Sequence, residues 1–171
     1  YNTDGIGAMR ALQEKCTLAD KRVAVIGAGG AARAVGYMAV AQGARVVIVN
    51  RTVSRGEALA DAVGGDFEVL EGFSGHDVDV LINTTSVGMH PATGEMVVDE
   101  SLLAAHMVVM DVVYNPVSTR LLRSAQRKGC QAIDGVTMFV QQGAAQFELW
   151  TGQKAPIELM DRVVRDALAV S

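Results

Sequence analysis

The strongest constraint on the fold is an alternation. Short runs of β-branched apolar residues are separated by longer, alanine-rich stretches with helical spacing. Arg22–Ile26 (RVAVI), Arg45–Val49 (RVVIV), Val78–Ile82 (VDVLI) and Met107–Val113 (MVVMDVV) read as strands, with shorter ones at Phe67–Leu70 and Gln131–Ile133. These runs are almost continuously apolar, which predicts a sheet covered on both faces. Helices are expected from Gly30 to Gln42, over Val53–Val63, briefly near Ser101–Ala105, and over Ser118–Lys128. Two more, Val136–Leu149 and Pro156–Ala169, close the chain. Gly43, Gly64 and Gly129 stand where such helices stop. Strands alternating with helices imply right-handed crossovers and a mostly parallel, doubly wound α/β sheet.

Composition narrows the function classes. A chain of 171 residues, half of them hydrophobic and a fifth charged, can bury its own core without disulfides or metals. A net charge of −4 argues against a global nucleic-acid footprint. Residues 1–60 nevertheless carry 8 basic against 4 acidic side chains, and residues 61–171 carry 7 against 15. The basic first third suits a local anion site, or is an ordinary fluctuation of surface charge. Cys16 and Cys130 have no CxxC partner, and His76, His90 and His106 are scattered, so no metal site is expected. No apolar run approaches the ~20 residues needed to span a membrane. No charged-then-apolar leader segment opens the sequence. A reducing, cytoplasmic setting fits best.

The most specific local signal follows the first strand. Gly27-Ala28-Gly29-Gly30-Ala31-Ala32 matches the G-x-G-x-x-A fingerprint of a Rossmann-type dinucleotide-binding domain. Gly27 serves the tight turn, Gly29 lets backbone approach a pyrophosphate, and Ala32 permits close helix–sheet packing. The N–H groups opening the next helix face the anion. Cofactor choice rests on the end of the second strand, where an NAD-binding chain usually carries an acid. Here stand Asn50-Arg51-Thr52, with Arg55 one turn on. Guanidinium groups suit a 2′-phosphate, and Thr52 can add a hydroxyl or cap its helix. The expected cofactor is NADP(H).

Three further motifs carry a resemblance: Tyr1-Asn2-Thr3-Asp4-Gly5-x-Gly7, Asn83-Thr84-Thr85-Ser86-Val87-Gly88-Met89, and Asp134-Gly135-x-x-Met138 running into Gln141-Gln142-Gly143-Ala144-Ala145-Gln146-Phe147. With GAGGAA and NRT, in this order and spacing across essentially the whole chain, the sequence resembles the shikimate dehydrogenases. The resemblance implies NADPH-dependent, reversible reduction of 3-dehydroshikimate to shikimate, a small-molecule substrate, within aromatic amino-acid biosynthesis. It makes Asp4 the catalytic aspartate, paired with a lysine across the substrate. Asn2 and Gln142 would join Asp4 in binding substrate hydroxyls, with Gln141 the weaker candidate. Read alone, Asp4 before Gly5 also suits an Asx-type turn. Asn83, Thr84 and Ser86 fall where a strand end meets a cofactor crevice. Val112, Tyr114, Gly135 and Met138 would line the nicotinamide pocket, although a methionine at Met138's spacing also suits a core position.

One departure stands against these agreements. The family's catalytic lysine and most of its substrate-binding side chains belong to an N-terminal substrate domain. Lys15, Lys21, Lys128 and Lys154 match no such motif. The expected organisation is a linker segment and helix over residues 1–20, the NADP-binding domain over 21–153, and a helix over 154–171 returning toward the N-terminal domain. Such a chain would bind NADP(H) with little turnover. A homodimer is left open as a partner. A quinate/shikimate dehydrogenase is the near alternative, and a non-catalytic dinucleotide sensor the distant one.

Overall fold

The computed structural model describes residues 3–169. Six strands form one parallel sheet: β1 Arg22–Ile26, β2 Arg45–Asn50, β3 Asp66–Val69, β4 Val80–Asn83, β5 Val108–Asp111 and β6 Gln131–Ile133. Their order is β3-β2-β1-β4-β5-β6. The chain builds outward from β1 to β3, then crosses back to lay β4 on the other side of β1. The register pairs Ile26 with Val49 on one side and with Asn83 on the other, and Asn83 with Asp111. Strand ends therefore line up along one edge, and the sequence reverses direction between β1 and β4. In open sheets of this kind ligands bind outside the strand ends at that reversal.

Both faces are covered, as continuous apolar strands require. Val23, Val25, Ile48 and Ile82 point into one buried layer with helices α1 (Thr3–Gln13), α2 (Gly30–Ala41) and α3 (Val53–Val63). Ala24, Ile26, Val49 and Leu81 point into the other, against α4 (Arg120–Arg127) and the 97–103 segment. Helices α5 (Gly135–Thr151) and α6 (Ile157–Ala169) finish the fold, with α5 against α1 and α6 against α5. Among the described residues no helix is long and apolar enough to cross a membrane, and no cluster of His, Cys, Asp or Glu could hold a metal.

The largest departure from the sequence reading is at α1. The linker segment expected ahead of the helix within residues 1–20 is already helical where Thr3, Asp4 and Gly5 stand, since α1 begins at Thr3. Gly5 and Gly7 are contact residues rather than turn residues. A Cβ on Gly5 would lie 2.9 Å from the Ala34 carbonyl of α2, and one on Gly7 would lie 2.8 Å from the Met138 carbonyl of α5. Glycine here lets α1 wedge between two neighbouring backbones. The Asx-turn reading of Asp4 gives way to a first-turn helical position. Near Ser101–Ala105 the expected short helix is a single 3-10 turn, Glu100–Leu102.

Candidate cofactor-binding site

The crevice begins at the β1–α2 turn. Gly27 takes φ +114°, and a Cβ there would sit 2.7 Å from Thr84 Oγ1. Only glycine meets both demands. The Thr84 hydroxyl donates back to the Ile26 carbonyl at 2.6 Å, stitching the β4 end to the β1 end. Gly29 occupies the N-cap of α2, where no side chain caps the helix. Beyond the adjoining residues and the helix's own backbone, no described atom lies within 4 Å of where a Cβ on Gly29 or Gly30 would be. Uncapped helix N–H groups beside open space make a ready anion cradle.

Beside that cradle a cavity of about 300 Å³ is lined by Gly27, Ala28, Gly29, Asn50, Arg51, Thr52, Arg55 and Thr84–Ser86. It carries two guanidinium groups and no carboxylate. It shares Gly27, Asn50, Arg51, Thr85 and Ser86 with a larger cavity of about 550 Å³, walled on its far side by Gly94–Val97 and Arg120. The Asn50 side chain donates to the Thr52 carbonyl at 2.9 Å and sets the turn that presents Arg51. Thr52 stands at the N-cap of α3 with extended backbone, yet its hydroxyl makes no capping bond. The capping role foreseen for it is not taken up.

Of the residues singled out from sequence, Gly30 and Ala31 open α2 beside the cavity, and Asn83 lies fully buried beneath it. Val112, Tyr114, Gly135 and Met138 gather elsewhere, where the chain leaving β5 crosses the start of α5. The Val112 and Val113 carbonyls press so close to Gly135 that no Cβ would fit. The half-exposed Tyr114 ring lies 5.6 Å from Phe139. Met138 is buried among the core residues of the α1 face, which is the core alternative foreseen for it.

Asp4 and Gln142 meet across the α1–α5 seam, the Gln142 amide donating to the Asp4 carboxylate. One turn further along α5, Gln146 donates to Thr3 Oγ1 at 2.9 Å. Gln141 turns the other way, is buried, and donates to Glu14 at 2.8 Å. Gln142 is thus the glutamine beside Asp4. Asn2 lies outside the described residues.

Two residues not singled out from sequence, Asp111 and Thr119, join Asn83 in a polar group beneath the crevice. Asn83, Asp111 and Thr119 are all fully buried. The Asp111 carboxylate accepts from Asn83 Nδ2 at 3.0 Å, Val113 N–H at 3.1 Å and Thr119 Oγ1 at 2.7 Å. Burial pushes the Asp111 carboxyl up to about 6, against the pull of these three donors. Its signal was in plain view: one acid inside the apolar run MVVMDVV. Arg120, Leu70 and the 94–97 segment had no signal before the loops were placed.

Residues 9–116 match the profile of the shikimate/quinate 5-dehydrogenase family, and residues 135–165 match that of the shikimate 5′-dehydrogenase C-terminal domain. The chain belongs to the shikimate/quinate 5-dehydrogenase family. Among relatives in it, the shikimate dehydrogenase (NADP(+)) of Methanosarcina acetivorans is 45% identical over 98% of this chain, which spans 64% of that protein's length. A crystal structure of a shikimate dehydrogenase in complex with NADP+ superposes with TM-score 0.91 at 39% identity, over 98% of this chain and 62% of that one. The ligand-free 5-ketofructose reductase of a Gluconobacter species superposes with TM-score 0.88 at 35% identity, over 97% and 63% respectively. The chain thus spans under two thirds of the length of each of these three proteins.

Proposed function

We propose that this chain is the NADP(H)-binding part of a shikimate dehydrogenase. The observation that carries the reading is the cavity where the α2 cradle meets Arg51 and Arg55 without an acid between them. The cradle N–H groups suit the pyrophosphate, and the two guanidinium groups with the Thr52 hydroxyl suit a 2′-phosphate. The wider cavity, bounded by Thr85, Ser86 and Arg120, has room for the adenosine. Val112, Tyr114 and Gly135 would border the nicotinamide at the other end. Bound there, the cofactor supplies the hydride.

The chain's own residues supply orientation. Gln142 holds the Asp4 carboxylate on the seam between α1 and α5, where it can accept a substrate hydroxyl. The lysines of this chain stand elsewhere in the fold. Lys21 is paired with Asp79 at 2.9 Å where the chain enters β1, Lys15 lies in the same connection, and Lys128 precedes β6. All three stand at the sheet edge opposite the crevice, and Lys154 sits in the exposed α5–α6 turn. This supports cofactor binding with little turnover by the chain alone. The 3-dehydroshikimate/shikimate pair is taken from the relatives' names. A ketofructose reductase on the same framework fits a substrate choice made largely outside this region.

Calorimetric titration tests the cofactor. A charge-assisted hydrogen bond contributes roughly 1.5–3 kcal/mol, so NADPH should bind at least about tenfold tighter than NADH. Arg51→Ala should erase most of that preference while leaving NADH affinity near its starting value. Equal or tighter binding of NADH by the unsubstituted chain would sink the assignment.

A further inference from the structure

We propose that Asp111 is a positioning residue that holds both walls of the cofactor crevice in register. One wall is the Thr85–Val87 segment after β4, and the other is Gly94–Val97 with Arg120. Asp111 lies beneath them at the end of β5 and is bonded toward each. On the first side its Oδ1 accepts from Asn83 Nδ2, which also donates to the Val87 carbonyl at 3.2 Å. Asn83 Oδ1 in turn accepts from the Thr85 N–H at 3.0 Å and hydroxyl at 2.7 Å. Both ends of the amide are committed, so its orientation is fixed and the loop follows it.

On the second side Asp111 Oδ2 accepts from Thr119 Oγ1, and Thr119 caps α4 through the Leu122 N–H. The next residue, Arg120, donates to the Gly94 carbonyl at 2.8 Å and so tethers the far wall. A third bond, from the Val113 N–H, fixes the chain leaving β5. An ionised carboxylate is acceptor-only and matches three converging donors. Packing alone does not ask for it. Its strand neighbours Val108, Val109 and Met110 are buried apolar residues, and a buried carboxylate whose three donors are all uncharged is a costly strut. Its bonds lead instead to the loops that line the crevice. The proposal rests on the cofactor reading for its purpose, but the tethering itself is measurable without cofactor.

Amide hydrogen exchange on the cofactor-free chain, followed by NADPH titration, is the test. Asp111→Asn turns one acceptor oxygen into a donor aimed at Thr119, and Thr119→Val deletes that hydroxyl at constant volume. Val108→Ala removes core methyls at the opposite end of β5 and calibrates a plain stability loss. Asp111→Asn should raise exchange about tenfold or more at both 84–87 and 94–97 and raise the NADPH Kd at least about tenfold. Thr119→Val should loosen 94–97 selectively, with Thr119→Ser restoring it, and Val108→Ala should move neither segment. Unchanged exchange in Asp111→Asn, equal loosening by Val108→Ala, or altered exchange with an unaltered Kd would each overturn the proposal. Should Asp111→Asn not fold, Thr119→Val decides, and unchanged exchange at 94–97 overturns it. Exchange as expected in a chain that binds no NADPH supports the tether and removes the cofactor reading instead.

Discussion

A carboxyl whose folded value is raised makes its own signature in stability. For Asp111 the cause is burial, and the three groups that oppose it are the Thr119 hydroxyl, the Val113 N–H and the Asn83 amide, none of them charged. The folded state therefore holds this proton more tightly than the unfolded chain does. The associated stability is fully present below the unfolded value of 3.8 and is lost as pH rises through about 6. Against Asp111→Asn, which does not titrate, the unsubstituted chain should lose about 2 kcal/mol of relative stability between about pH 4.5 and about pH 7.5. Urea unfolding of both proteins at the two pH values measures the difference. A gap that stays constant with pH would show that Asp111 ionises as freely folded as unfolded.

At the scale of elements, the start of α5 joins three parts of the molecule. Asp134 caps it, accepting from the Thr137 N–H at 2.8 Å, and pairs with Arg165 of α6 at 2.9 Å. Burial alone would push this carboxyl up, but Arg165 and Thr137 outweigh it and hold it below the ordinary carboxylate range. Asp134→Ala should cost about 1–2 kcal/mol for the lost cap, and Arg165→Ala should cost less, because Thr137 keeps its acceptor. Chemical denaturation orders the two, and the reverse order would contradict a capping role. Much of this level could be read from sequence. Parallel strands covered on both faces must be continuously apolar, so RVAVI, RVVIV and VDVLI declared themselves. Gly27 declared itself because the tight turn after β1 needs a residue free of a Cβ. Asn50-Arg51-Thr52 followed from its place after the second strand. Gly5 and Gly7 did not, because a glycine reads as a turn until the backbones that crowd it are in place. Asp111 and Thr119 are eight residues apart with no shared periodicity, and only the folded strand end brings them together.

At the scale of the whole molecule, burial is uneven. The sheet and its two layers are closed, whereas the last two helices leave large apolar side chains in water. Leu149 is 51% exposed, Trp150 77%, Leu159 49% and Val163 58%, and no residue of α6 is fully buried. This chain covers 64% of one relative, so more than a third of that relative's length lies outside the match. Under the proposed function these helices face the substrate-binding remainder of the protein. Apolar surface on that scale seeks a partner, and a net charge of −4 offers little repulsion against a second copy. In isolation the chain should therefore self-associate, its light-scattering mass rising with concentration. Trp150→Ser with Val163→Ser should return it toward the monomer mass of 18.0 kDa without changing NADPH affinity, since neither residue lines the crevice. A monomer that stays monodisperse as it is concentrated would mean that this face is stable in water, and the argument for a covering domain would lose its physical support.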